Sequence, residues 1–334
     1  MSYSVACVVV TYNRKHLLIE TLTALLAQST PLDKIYLVDN CSTDGTEAEL
    51  IQQQLRHHPK IHYQRLEDNT GGAGGFHTGI ATALENQHDW IWVMDDDACP
   101  QHDALAYLIP HFEDKNTVAV ASSVWDTNGI QTPHRGHFHF RRFFPYLQTP
   151  LAEEVYTQEK AEINMASFVG LCVRATTAQH IGLPRKAFFI HHDDVEYCLR
   201  LNQQGTLYLI PASKILHKDT VSQQKAQQVT RLGRFSQRTP TARLWLYYFT
   251  VRNAVYLGKK YLAWYRFIPQ LLLYFARQIF GILLYDENKS QRIHTIFRAC
   301  LDGVLANFSN RFPFQLRRVL AQNMPNKKQT DKKE

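Results

Sequence analysis

Apolar positions change period along the chain. Val5 to Val10 is an unbroken apolar run, the pattern of a strand buried on both faces. Residues 15–28 then place Leu17, Leu18, Thr21, Leu22, Leu25 and Leu26 at helical spacing, which predicts an amphipathic helix. Lys34–Val38 reads as a second strand. Ser42, Thr43 or Asp44 can cap a helix running through about residue 57, and Ile61–Arg65 reads as a third strand. This β-α-β-α-β order predicts an α/β fold with a mostly parallel sheet and right-handed crossovers. The alternation continues with a helix over about 76–86, a strand over 90–97, a helix over about 101–109 and a strand near Thr117–Ser122. Residues 126–160 look irregular. Glu162–Arg174 reads as a strand or hairpin, and Thr206–Ile210 with Ile215 and Leu216 as strand again.

Polar residues break this pattern most sharply after Trp90–Met94. That run of five apolar residues ends in Asp95, Asp96 and Asp97, with Pro100 closing the stretch. Three carboxylates at the end of a buried strand repel one another, and a helix cap needs only one. Ligands of open α/β sheets bind outside the carboxyl ends of strands. Residues i and i+2 of an extended chain share a face, so Asp95 and Asp97 can grip one cation; hard oxygens suit Mg2+ or Mn2+.

Two other stretches carry chemistry. Asn69 to Phe76 includes Gly71, Gly72, Gly74 and Gly75, a glycine run where a ligand can approach backbone, ahead of a helix whose first amides can face an anion. Phe188–Ile190 runs into His191, His192, Asp193, Asp194 and Glu196 at the start of a predicted helix. One acid suffices as a cap. A second, beside it and partly desolvated, has its pKa pushed toward that of a useful base. His217 follows the last predicted strand of this half and is a candidate ligand. The alternating histidines of residues 134–142 read instead as one polar face of a strand, or a loop on the acceptor side.

Charge divides the chain. Residues 214–334 hold 22 Lys/Arg against 6 Asp/Glu, a net of +16, while residues 1–213 hold 15 against 24, a net of −9. An acidic front suits a cation site and a basic rear suits an anionic surface. The six cysteines are scattered without C-x-x-C spacing, as in a cytosolic protein with reduced thiols, and Met1–Ser4 leads into the first strand without a basic n-region, so no signal peptide is expected. Residues 221–240, with Arg231, Arg234 and Arg238, read as a mobile basic segment able to close on phosphates. Arg243–Tyr261 reads as an aromatic helix. Ile268–Tyr285, interrupted by Gln270, Arg277 and Gln278, suits a helix lying in a membrane interface, or else one packed in a helical bundle. Residues 1–220 are thus expected to form the catalytic domain, 241–323 a helical region and 324–334 a disordered basic tail.

Val8-Val9-Val10-Thr11-Tyr12-Asn13-Arg14, Val38-Asp39-Asn40-x-Ser42-x-Asp44-Gly45-Thr46, the triple Asp and Asp193-Asp194-x-Glu196 together resemble the family 2 glycosyltransferases of GT-A fold. The resemblance covers about residues 4–220 and reaches Tyr247-Tyr248-x-x-x-Arg252-Asn253. With its glycine run, the chain is similar to the galactofuranosyltransferase and rhamnosyltransferase branch. The resemblance implies a nucleotide-diphosphate-sugar donor and a lipid-linked glycan acceptor. Thr11, Tyr12, Asn13, Arg14, Asp39 and Asp96 fall at the donor nucleotide, and Gly71, Gly72, Gly74, Gly75 and Phe76 along its diphosphate and sugar. Asp95, Asp97 and His217 resemble the ligands of Mn2+ or Mg2+. Asp194 matches the catalytic base and Asp193 its neighbour on the acceptor. His191 and His192 stand where a Trp is common in the branch.

The expectation is therefore an inverting, metal-dependent transferase of galactofuranose from UDP-galactofuranose. It would sit peripherally on the anionic inner face of the cell membrane, without nucleic acid, and a homo-oligomer is left open. A rhamnosyltransferase using dTDP-rhamnose is the alternative within the branch. A sugar nucleotidyltransferase would want a glycine-rich loop with a basic residue after the first strand, where this chain has Thr11 to Arg14. A non-catalytic basic binding protein would leave both acid clusters unexplained.

Overall fold

The structure, a computed structural model, describes residues 3–139, 148–218, 227–231 and 234–322. The chain divides into two compact units, with the main boundary between Gln223 and Gln224.

The first unit begins with β1 (Val5–Thr11), α1 (Lys15–Leu26), β2 (Lys34–Asp39), α2 (Thr46–Gln52), β3 (Ile61–Arg65), α3 (Gly71–Glu85) and β4 (Trp90–Asp95). It continues through β5 (Ala98–Pro100), α4 (Ala104–Leu108), β6 (Thr117–Asp126), β7 (Gly129–Ile130), β8 (Arg135–Phe138), β9 (Gln148–Pro150), β10 (Ala161–Ile163), β11 (Met165–Ala166) and β12 (Leu171–Arg174). It ends with α5 (Ala175–Ile181), α6 (Asp193–Leu201) and β13 (Thr206–His217). The main path of the sheet runs β10-β13-β6-β12-β4-β1-β2-β3. Strands β4, β1, β2 and β3 are parallel, and β12 runs antiparallel between β4 and β6. This is the mostly parallel α/β sheet of a GT-A fold.

The unbroken apolar run of β1 has two partners. Ala6, Val8 and Val10 pack into a core with Phe76, Ile80 and Ala83 of α3. Val5, Cys7 and Val9 pack on the other face with Leu18, Leu22 and Leu25 of α1. Both faces are covered, so neither needs polar residues.

Five local expectations are corrected. Helix α3 starts at Gly71 rather than near residue 76, so the glycine run lies inside its first turns. Helix α2 stops at Gln52 rather than near 57, and α4 is a single short turn-and-a-half from Ala104. Residues 162–174 are not one hairpin: β10 pairs with β13, β11 with β8, and β12 enters the main sheet. Pro100 does not end the structure after the acids; it belongs to β5, which pairs antiparallel with β13.

The second unit contains β14 (Gln227–Arg231), β15 (Arg234–Arg238), α7 (Leu244–Tyr261), α8 (Trp264–Tyr285), α9 (Lys289–Leu305) and α10 (Arg311–Gln322). Within the basic segment 221–240, β14 and β15 pair antiparallel. Arg238, expected to be available to phosphates, is instead ion-paired with buried Asp286, which Arg292 also approaches at 3.6 Å. The side chains of Arg231 and Arg234, residues 140–147, 219–226 and 232–233, and the expected tail at 324–334 lie outside what the structure describes.

Candidate active site

The acids sit where the sheet ends. Asp95 is the last residue of β4, and the chain turns through Asp96 and Asp97 into β5. Because β5 folds back along β13, His217 lies opposite Ala98, and the Lys218 amide donates to the Asp97 carbonyl at 2.9 Å. Residues 120 apart in sequence are thereby brought to one point. One ligand atom each from Asp95, Asp97 and His217 lies within 4.8 Å of the others. The His217 ring stands 3.1 Å from Asp97 Oδ1 through Nε2, and edge-on to His134 at 5.0 Å.

Burial and mutual repulsion set the electrostatics here. Burial, then the charges of Asp97 and Asp96, raise the Asp95 carboxyl to about 7. Burial raises Asp96 to about 6, opposed by Arg14 and by the hydroxyl of Thr11. Arg14 ion-pairs with both Asp96 and Asp97. Asp96 is held further by Thr11 Oγ1 at 2.7 Å and the Tyr12 amide at 3.3 Å, while Thr21 Oγ1 donates to its carbonyl at 2.8 Å. Asp96 thus faces the end of β1, and it is the turn through Asp96 and Asp97, not an extended i, i+2 pair, that leaves Asp95 and Asp97 beside His217. Two carboxylates and an imidazole, with Asp97 and His217 buried and Asp95 half-buried, fit Mn2+ or Mg2+.

The remaining expected donor residues separate into buried and accessible groups. Thr11 and Asp39 are buried. Asp39 accepts from the Ser42 amide at 2.8 Å and from Tyr63 OH at 2.7 Å. Tyr12 and Asn13 are exposed, and Asn13 adopts a left-handed φ of 56° while its side chain accepts from the Thr43 amide.

The glycines have several uses. A Cβ on Gly75 would lie 2.4 Å from Val10 Cγ1, and one on Gly79 would lie 2.3 Å from Val8 Cγ1, so these two let α3 press on β1. Phe76 is core, with its ring 4.7 Å from Phe168. A Cβ on Gly74 would meet Thr70, whereas Gly72 faces open space. Gly71 has a φ of +73°, and its Cβ position is 2.0 Å from the Phe189 carbonyl oxygen, which also accepts from the Ala73 amide at 3.1 Å. Asn40 was missed by the sequence reading. It is buried, donates to the Gly71 carbonyl at 2.7 Å and accepts from Thr70. Its place directly after Asp39 at a strand end was the available signal.

The second acid cluster begins α6. The chain enters it through Phe189, His191 and His192, all at left-handed φ (64°, 68° and 65°). Non-glycine residues adopt such angles only when their surroundings impose them. Asp193 is buried, and burial together with the charge of Asp194 pushes its carboxyl well up. Burial raises Asp194 to about 6, although the Val195 amide donates to it at 2.7 Å and Arg135 exerts an opposing pull. Glu196 is a structural acid: it is fully buried and pairs with Arg200 at 2.8 Å. Arg135, also missed, is completely buried and donates to the carbonyls of Ser122, His134 and Val169, tying β6 to the His134–Arg135 corner.

A family model described as "Glycosyl transferase family 2" matches residues 6–169. Residues 6–169 thus carry a glycosyltransferase family 2 domain. It is 35% identical over 211 residues to galactofuranosyltransferase GlfT1 of Mycobacterium tuberculosis. That alignment covers 61% of this chain and 66% of the relative, so the chain spans just under two thirds of the relative's length. GalNAc-T7, solved with UDP, GalNAc and Mn2+, is similar with a TM-score of 0.54 and 14% identity, over 64% of this chain and 44% of that one. Mannosyltransferase PcManGT from Pyrobaculum calidifontis, in complex with GDP-Man and Mn2+, is similar with a TM-score of 0.50 and 16% identity, over 97% and 77%. At these identities the two structures support the GT-A fold of the family 2 domain and nothing finer.

Proposed function

We propose that the protein is an inverting, divalent-metal-dependent glycosyltransferase that moves galactofuranose from UDP-galactofuranose to a lipid-linked glycan acceptor, in surface polysaccharide biosynthesis at the cytoplasmic face of the membrane. The observation that carries this reading is the convergence of Asp95, Asp97 and His217 at the end of the sheet in a chain that carries a family 2 domain and is related to a galactofuranosyltransferase. Mn2+ or Mg2+ held by these three residues would supply Lewis-acid neutralisation of the leaving diphosphate.

The protein's own groups carry the proton. Asp194, ionised above about pH 6, removes the acceptor hydroxyl proton as that oxygen attacks the anomeric carbon. Asp193 orients the same hydroxyl. The nucleoside diphosphate leaves from the opposite face, so a single displacement inverts the centre. Tyr12, Asn13 and Arg14 line the nucleotide, and Gly72 leaves room for the diphosphate.

Transfer of labelled sugar from UDP-galactofuranose to a lipid-linked oligosaccharide tests this. Asp194→Asn is expected to lower transfer by about 10²–10⁴-fold while UDP still binds. Wild-type transfer by the variant would remove Asp194 as base, and transfer from dTDP-rhamnose alone would move the donor assignment to rhamnose.

A further inference from the structure

Helix α8 in the second unit is amphipathic in an unusual sense: its outward face is the apolar one. Phe267, Tyr274 and Ile282 are buried, and Tyr274 OH meets Tyr247 OH of α7 at 3.2 Å. The opposite face carries Tyr265, Ile268, Leu272, Ala276, Phe280 and Leu283, all exposed. Leu272 and Phe280 are 64% and 66% exposed, and Trp264 at the helix start is 77% exposed. A soluble surface rarely leaves a contiguous apolar stripe over several turns. Helix α9 extends the stripe with exposed Phe297, Leu301 and Leu305, one turn apart, and the rings of Phe275 and Phe297 meet at 6.2 Å.

The charges around this face have one dominant sign. Helix α8 contains no acid, and its only charged residues, Arg266 and Arg277, are exposed. Lys259, Lys260 and Lys289 flank it, with Glu287 as the exposed exception. Twenty-two residues make α8 about 33 Å long, and by length and composition it is the one helix among the described residues able to cross a bilayer. One side, however, is already committed to α7 and α9. An apolar outer stripe with a basic border is the composition of a helix lying in the headgroup boundary of an anionic bilayer.

We infer that the α8–α9 face docks on an anionic phospholipid surface, in-plane, with Trp264, Leu272 and Phe280 inserted and Arg266 and Arg277 at the headgroups. All of these residues belong to the helical unit, so the inference stands or falls separately from the sugar-transfer chemistry.

Cosedimentation of the full chain with phosphatidylglycerol and phosphatidylcholine vesicles tests it, with light scattering and UDP binding measured alongside. The wild type is expected to pellet with phosphatidylglycerol and to be released by salt. Leu272→Glu combined with Phe280→Glu should lower partitioning at least about tenfold and leave UDP binding unchanged. Arg266→Ala and Arg277→Ala should each weaken it about fivefold on the anionic vesicles only. In the wild type, brominated acyl chains should quench fluorescence that Trp264→Phe removes. Failure to pellet with anionic vesicles, equal binding of the double variant, or no Trp264 quenching would overturn the inference. So would a dimer in solution that the double variant converts to monomer, since a second copy would then be the occupant.

Discussion

At the scale of single residues, Asp194 is the group whose titration should be visible. Burial raises its carboxyl to about 6, above the ordinary carboxylate value, so the proposed base is protonated below that pH and ionised above it. The kcat/KM for transfer is expected to fall about tenfold per unit as pH drops below 6 and to level off above it. A carboxyl raised by burial also costs stability once ionised. Asp194→Asn should therefore raise stability by about 1 kcal/mol at pH 8, with the gain vanishing near pH 4, as thermal unfolding at the two pH values would show. Gly71 offers a second residue-scale test. Its missing Cβ admits the Phe189 carbonyl, and Phe189 begins the left-handed turn that delivers Asp193 and Asp194. Gly71→Ala is expected to lower transfer at least about tenfold through displacement of that turn, while leaving UDP affinity within about twofold. Gly72→Ala, facing open space, should instead weaken UDP binding. Equal loss of UDP binding in both variants would return Gly71 to the donor site.

At the scale of elements, the strands of the first unit were legible because their apolar runs are continuous and their polar ends abrupt. Val5–Val10 and Trp90–Met94 needed no tertiary information. What escaped was pairing at a distance. Nothing local in Ala98-Cys99-Pro100 announces an edge strand, yet its register with β13 is what carries His217 to Asp97. Proline is tolerated there because β5 pairs on one side only. The glycine run reads as a place where a ligand can approach backbone, because four glycines in five residues remove side chains. Three of them also sit in a helix where an added Cβ would meet Phe189, Thr70 or Val10, contacts that only the folded chain defines. In the second unit, Asp302 is the corresponding hidden element-level tie. It is buried on α9 and accepts from Tyr248 OH of α7 at 2.7 Å, Arg298 Nε at 2.8 Å and Asn307 Nδ2 at 2.8 Å. Asp302→Ala removes the acceptor of the buried Tyr248 hydroxyl and the tie to Asn307 and is expected to cost about 2–4 kcal/mol, read as a lowered unfolding midpoint.

At the scale of the whole molecule, the division of charge follows the division of structure. The acidic front half contains both acid clusters, and the basic rear half contains the helical unit with its exposed apolar stripe. The sequence showed this partition directly, since charge needs no folding to be counted. It did not show that Arg238 is consumed by Asp286, because that pairing joins residues 48 apart. Burial and mutual repulsion raise the Asp95 and Asp96 carboxyls at the end of the sheet, and the need for a compensating divalent cation beside them is the central claim about the first unit. Calorimetric titration of UDP into the wild type and Asp97→Ala, each with Mn2+ and with EDTA, tests that claim most directly. Binding that requires Mn2+ in the wild type and weakens at least about 100-fold in Asp97→Ala is expected. UDP binding that is equal in EDTA, or unchanged in Asp97→Ala, would contradict it.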